Sequence, residues 1–163
     1  MIRAGLLADT HLERATELYI EQVRSCFADV DVIMHAGDLT DLSVLDVFAD
    51  KEVHAVCGNM CNFAVSSALP TKKVIELGGF LIGLIHGAHV CGNIPDQLLR
   101  DFEQVDCIVY GHTHRPACHW NGGVLFVNPG SFMRTSRYGA VGTYAILEAG
   151  DKLRGSIHEI GAW

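Results

Sequence analysis

Gly111-His112-Thr113-His114 follows the apolar run Cys107 to Tyr110 and sets two imidazoles one residue apart. Side chains at i and i+2 share a face wherever strand geometry persists, so both rings can meet a cation from one side. Other apolar runs also end in metal-binding groups: Asp9-Thr10-His11, Gly37-Asp38, Gly58-Asn59 and His86. Together Asp9, His11, Asp38, Asn59, His86, His112 and His114 are too many oxygen and nitrogen donors for one cation and suit two. A carboxylate between two cations screens their repulsion across about 3.5–4 Å, and Asp38, on its Gly37 turn, is the expected bridge. The set has no obligatory thiolate, and such donors suit divalent manganese, iron, zinc, nickel or cobalt without choosing among them; manganese is the expected ion. Water between two such ions ionises near neutral pH and attacks phosphorus in line while the cations take up charge on the phosphoryl oxygens. The expected chemistry is phosphoester hydrolysis, with Asp38 and Asn59 at its centre.

The elements that must position these groups alternate through the first 60 residues or so. Ile2 to Ala8 reads as a buried strand that feeds Asp9. Residues 12 to 28 carry Ala15, Leu18, Tyr19, Val23, Cys26 and Phe27 at helical spacing, which predicts an amphipathic crossover helix. Val30 to Ala36 is a second strand ending at Gly37-Asp38, and Leu42 to Ala49 a short helix with Leu42, Leu45 and Phe48 inward. Val53 to Cys57 is a third strand, ending at Gly58-Asn59. Such alternation builds parallel βαβ units, whose sites lie at the carboxyl ends of the strands. After about residue 72 sheet predominates. Val74 to Leu77 and Phe80 to Ile85 flank the hairpin signal Gly78-Gly79, and the second of them delivers His86. Pro95 suits the first turn of a helix reaching about Phe102, with Leu98, Leu99 and Phe102 inward. Strands are then expected at Val105 to Tyr110, Val124 to Val127, Val141 to Leu147 and Leu153 to Ile160. The pattern predicts two sheets packed as a sandwich and covered by helices.

Composition narrows the partners. The chain has 163 residues, 49% hydrophobic and 19% charged, enough for one domain over residues 1–163 with a substantial core. A net charge of -7 disfavours nucleic acid and anionic membranes, and bound cations would offset part of it. Six cysteines without a Cys-x-x-Cys pair read as reduced, and no apolar run approaches the roughly 20 residues of a membrane span. The expectation is a soluble cytoplasmic protein that takes a small phosphoester and no nucleic acid or membrane partner. Exposed strand edges make a homodimer unsurprising.

Asp9-x-His11, Gly37-Asp38-x-x-Asp41, Gly58-Asn59, His86 and Gly111-His112-x-His114, in that order, resemble the signature of the calcineurin-like metallophosphoesterases. The compact length and Asn128-Pro129-Gly130-Ser131 downstream resemble the small branch that includes bacterial phosphodiesterases and the retromer scaffold subunit. The resemblance spans about residues 1 to 135. It implies an α/β fold, a four-layer α/β/β/α sandwich of two mixed sheets flanked by helices. It also implies a ligand allocation: Asp9, His11, Asp38 and His114 for one metal, and Asp38, Asn59, His86 and His112 for the other. One departure bears on mechanism. Many family members follow Gly-Asn with a histidine that serves near the leaving group, whereas this chain has Met60-Cys61. Methionine transfers no proton, so esters with poor leaving groups would react slowly unless another acid compensates. His89, three residues past His86, is the expected substitute.

Other residues carry plainer expectations. His35 reads equally as a satisfied core histidine or as a group that orients a ligand, and Asp41 as a helix cap. Asn128-Pro129-Gly130-Ser131 has turn chemistry throughout. Arg134 and Arg137 could clamp phosphate but read as ordinary loop arginines, and His54, His119 and His158 as structural or surface groups. Cys57 and Cys61 read as packing residues. Two functions from different classes follow: a dinuclear metal-dependent phosphodiesterase or phosphatase, or a non-catalytic interaction scaffold of the same fold with a vestigial or structural metal site.

Overall fold

In a computed structural model, which describes residues 1–133 and 141–161, two five-stranded mixed sheets face one another. The chain runs β1 (Ile2–Leu7), α1 (Glu17–Cys26), β2 (Val32–His35), α2 (Ser43–Asp46), β3 (Glu52–Ala55), α3 (Phe63–Ala68), β4 (Lys72–Leu77) and β5 (Phe80–Ile85). It continues with α4 (Ile94–Leu98), a 3-10 turn (Leu99–Asp101), β6 (Cys107–Tyr110), β7 (Ala117–Asn121), β8 (Val124–Asn128), β9 (Thr143–Ala149) and β10 (Leu153–Glu159). The first sheet has the order β10-β9-β1-β2-β3 and the second β4-β5-β6-β8-β7. Within them β1, β2 and β3 are parallel neighbours, as are β5, β6 and β8, and the antiparallel strands lie outside each trio.

Alternation along the strands sorts the apolar residues into three layers of packing. Ala4, Leu6, Val32 and Met34 from the first sheet meet Ile82, Leu84, Val109 and Val127 from the second. The opposite faces are apolar too. Leu7, Ile33 and Ile146 pack under Tyr19, Val23 and Phe27, while Ile108 and Phe126 pack under Leu98 and Phe102. Burial on both faces explains why the strands read as continuous apolar runs instead of alternating ones. The result is the expected four-layer α/β/β/α sandwich.

Several boundaries differ from the sequence expectation. The first helix begins at Glu17, where the Thr16 side chain accepts the Tyr19 amide at 3.2 Å. That cap leaves residues 12–15 in the loop leading from the site. Leu18 and Leu42, expected inward, are 46% and 37% exposed, because the buried stripes are completed by Tyr19 and Val23 and by Val44 and Phe48. The fourth helix gives way to the 3-10 turn at Leu99, so Phe102 packs from extended backbone. Helix α3 and strand β7 were not anticipated. Asn62 caps α3 by accepting the Val65 amide at 2.9 Å, and Gly122 and Gly123, both at positive φ, turn β7 into β8. The β4–β5 turn at Gly78 and Gly79 is as expected, with φ of 58° and 88°.

Candidate metal centre

Five of the six parallel strands end in candidate ligands. Asp9 and His11 follow β1, Asp38 follows β2, Asn59 follows β3, His86 follows β5, and His112 and His114 follow β6. The loops interlock through their backbones: Asp9 N donates to Gly37 O at 3.0 Å, His11 N to Asp38 O at 3.0 Å, and Gly111 N to His86 O at 3.1 Å. The non-glycine residues at positive φ among those described are Asp9, His11, Asp38, His112 and His114, every one a candidate ligand. Left-handed backbone is costly for such residues and persists where surroundings over-determine it, typically at functional sites. Gly58 shows how tight the turns are. A Cβ there would lie 2.1 Å from Asp38 Oδ1 and 2.6 Å from Asp38 N, so a side chain is excluded.

The seven residues converge as two clusters, Asp9, His11 and His114 in one and Asp38, His86 and His112 in the other, with Asn59 against the second. In the first, His114 Nε2 lies 3.2 Å from both Asp9 Oδ1 and His11 Nε2. In the second, His86 Nε2 lies 3.3 Å from Asp38 Oδ2 and 3.1 Å from Asn59 Oδ1, which is also 3.1 Å from His112 Nδ1. Asp38 Oδ2 reaches toward the first cluster as well, 3.9 Å from His11 Nε2. Its other oxygen is held by the Met60 amide at 2.8 Å. That contact uses only backbone, so a methionine at 60 costs the carboxylate nothing in position.

The donor chemistry fits cations. Asp9 and Asp38 are buried, and histidines are the only cationic side chains within ion-pair distance of them among the described residues. Buried carboxylates need compensating charge. Asp9 Oδ1 is buried without a hydrogen-bond partner even though His114 stands beside it. His86 donates from Nδ1 to Ala36 O at 2.8 Å, so Nε2 is the nitrogen turned to Asp38. That edge needs a proton or a metal between nitrogen and carboxylate. Burial opposes the charged form of His86, but the hydrogen bond and charge of Asp38 outweigh it and raise the pKa. His114 is raised by the Asp9 carboxylate beside it, against the effect of burial. Asp38 is lowered in turn, burial being overcome by His86 and the Met60 amide.

Behind the ligands lies a second layer of polar contacts. His35 is buried; its Nδ1 accepts the Gly37 amide at 3.2 Å, so Nε2 carries the proton toward Thr10 Oγ1, 3.2 Å away. It is a satisfied core histidine that also ties two ligand loops together. Burial lowers its pKa to about 3. Asp41 accepts the Ser43 amide at 2.9 Å and so caps the turn into α2. The sixth parallel strand, β8, ends in buried Asn128, whose Nδ2 donates to Gly111 O at 2.9 Å and Thr113 Oγ1 at 3.0 Å, while its Oδ1 accepts the Gly130 amide at 2.9 Å. Ser131 Oγ donates to Asp9 O at 2.9 Å. What reads as turn chemistry in the sequence is thus a buttress for the histidine pair and for Asp9. Cys61 Sγ accepts the Gly58 amide at 3.1 Å, and His54 bridges Glu52 and Lys73. His119 stacks on Phe126 and His158 on Tyr144. Arg134 and Arg137 lie outside the described residues.

Two cavities flank the clusters. One of about 420 Å³ includes Asn59, His86, His89, Lys72 and Asp101 in its walls; the other, of about 220 Å³, includes His114, Ser131, Val141 and Glu159. A slightly larger hollow of about 450 Å³, along Lys73, Val74 and Phe102, shares Lys72 and Asp101 with the first but touches no candidate ligand. His89 therefore comes to the side of the second cluster, its Nε2 3.0 Å from Asp101 Oδ2.

Residues 2–152 match the family model of the calcineurin-like phosphoesterase superfamily domain. A probable metallophosphoesterase of Methanocaldococcus jannaschii is 39% identical over 78% of this chain; the match spans 66% of that relative's own length. Vps29 of Entamoeba histolytica, solved in complex with zinc, superimposes with a TM-score of 0.75 at 22% identity, over 98% of this chain and all of that one (100%). A structure described as a novel archaeal phosphodiesterase superimposes with a TM-score of 0.75 at 20% identity, over 96% of this chain and 100% of its own. These two likenesses establish the shared fold.

Proposed function

The chain belongs to the calcineurin-like phosphoesterase superfamily, and on that premise we propose that it is a dinuclear metal-dependent phosphodiesterase acting on a small phosphoester. The observation that carries this reading is the convergence of Asp9, His11 and His114 beside Asp38, His86 and His112, with Asp38 Oδ2 between the two sets. Asp9, His11, Asp38 and His114 would hold one cation, and Asp38, Asn59, His86 and His112 the other, manganese being the expected ion. Bound divalent cations supply Lewis acidity toward phosphoryl oxygens and make water acidic enough to act as nucleophile near neutral pH. The chain's own part is positional. The Met60 amide fixes Asp38 Oδ1 and leaves Oδ2 toward both clusters. Ala36 O fixes the His86 ring so that Nε2 is the nitrogen offered. The cavities on either side of the clusters support a diester, which has two arms to place. The six cysteines, all free, accord with a reducing cytoplasm.

The second reading, a non-catalytic interaction scaffold, is favoured by Met60, 57% exposed where many relatives of this fold have an acid. One experiment separates them: turnover of bis(p-nitrophenyl) phosphate with and without manganese by the wild type and Asp38→Asn. Metal-dependent turnover that falls at least ~100-fold in the variant is expected, since even groups that only support a ligand are worth 10–100-fold. A folded wild type inactive with manganese, iron, zinc, nickel and cobalt would overturn the enzyme reading in favour of the scaffold.

A further inference from the structure

Resting on the phosphodiesterase reading, we propose that the cleft beside Asn59 and His86 receives the departing alcohol of the diester, and that His89, positioned by Asp101, delivers a proton to its oxygen. The need for a donor is chemical. An alkoxide is a poor leaving group unless protonated as it departs, and Met60 has no proton to give. The cleft of about 420 Å³ has Asn59 and His86 in its wall, so it opens directly from the second cluster. Its size falls in the range of ordinary ligand pockets and suits an alcohol as large as a nucleoside.

His89 lines the same cleft, and its partner fixes which nitrogen does what. Nε2 lies 3.0 Å from Asp101 Oδ2. An ionised carboxylate only accepts, so Nε2 carries a hydrogen toward it and Nδ1 is the nitrogen left to hold and release the second proton. Asp101 is itself anchored: it ends the 3-10 turn, and its carbonyl accepts Lys72 Nζ at 2.6 Å. Lys72 has no carboxylate within ion-pair distance among the described residues and so adds positive charge to the wall beside the proton donor. In the step, water forms a bond to phosphorus and the bond from phosphorus to the leaving oxygen breaks, its electron pair going to that oxygen. The oxygen takes the Nδ1 proton, and His89 is left neutral, its Nε2–H still donated to Asp101. The proton lost by the attacking water enters solvent, from which Nδ1 is later reprotonated.

The test compares kcat/KM for bis(p-nitrophenyl) phosphate, whose leaving group needs no proton, with that for a dinucleoside monophosphate, whose leaving oxygen is an alkoxide. Manganese-loaded wild type, His89→Ala, Asp101→Ala and Asp101→Asn are used, with metal content per chain confirming an intact centre. The ratio of alkyl-ester to aryl-ester turnover is expected to fall at least ~100-fold in His89→Ala, the low end of general-acid contributions, and to fall in the same direction in Asp101→Ala. Ring-nitrogen NMR of the metal-free protein is expected to show the Nε2–H tautomer of His89, lost in Asp101→Ala and partly restored in Asp101→Asn, which keeps an acceptor without the charge. An unchanged ratio in His89→Ala, a wild type that turns over only the aryl ester, or an Nδ1–H tautomer would overturn this inference alone. A wild type inactive on both esters would overturn the phosphodiesterase reading and this inference with it.

Discussion

His86 and His114 each turn a ring nitrogen to a carboxylate where a cation would bind, and raised pKa values favour a proton at each, His86 because Asp38 outweighs burial and His114 because the Asp9 carboxylate stands beside it. Metal must displace those protons. Binding at neutral pH is therefore expected to release protons and to tighten as pH rises through the raised values; calorimetry in buffers of different ionisation heats measures the release, and none at pH 7 would contradict the assignment. His35 behaves oppositely. Burial lowers its pKa from 6.5 to about 3, so between those values the unfolded chain binds more protons than the folded one. Stability is then lost as pH falls through that window, by on the order of a few kcal/mol. In metal-free protein, urea midpoints should drop more steeply from pH 7 to pH 4 in the wild type than in His35→Gln, whose side chain does not titrate. Equal slopes would exclude His35 as the cause.

At the scale of elements, the strand-end loops place the site, and their tightness makes them sensitive to single atoms. Gly58→Ala sets a methyl against Asp38 Oδ1 and the Asp38 backbone. It should cost about 1–3 kcal/mol by overpacking and displace Asp38, which metal titration would report as lost stoichiometry or weakened affinity. Asn128→Ala leaves the Gly130 amide without its partner and removes one of the two donors to Gly111 O, which keeps the Thr113 amide, both within the loops that carry His114 and Ser131. The orphaned amide costs about 1–3 kcal/mol, and the loss should appear both in urea denaturation and in weaker metal binding. A variant with wild-type stability and affinity would remove Asn128 from the support of the site. The sequence made the ligands visible because glycines and apolar runs precede them; it did not reveal the buttress, since Asn-Pro-Gly-Ser carries the same signal whether a turn is exposed or buried. Helix α3 escaped for want of length, six residues with Val65 alone buried. Strand β7 escaped because Cys118, His119 and Trp120 are all exposed and give no alternation.

For the whole molecule, each cluster draws on both sheets: Asp9 and His11 or Asp38 from the first, His114 or His86 and His112 from the second. Bound cations would therefore link the sheets at one end of the sandwich. At a metal concentration of 100 times Kd the native state gains about 2.7 kcal/mol, or about 5–10 °C in Tm for a chain of this size. Thermal unfolding before and after chelation should show that difference, and a Tm indifferent to metal would count against a centre spanning the sheets. Phe27, 1% exposed among Phe48, Phe132 and Tyr144, anchors the helix layer on the first sheet, and Phe27→Ala should cost about 3–5 kcal/mol in urea denaturation. The sequence by itself determined the parallel strands of the first 60 residues, the residue types at the strand ends and a sandwich of two sheets covered by helices, because burial on both faces and a polar carboxyl end are written locally, residue by residue, while the four-layer order is what the family resemblance implies. Tertiary structure alone decided that Asn128 supports the histidine pair and that Asp101 meets His89. Those contacts join residues far apart in the chain, and no local periodicity records which strand ends become neighbours once two sheets close on a common core.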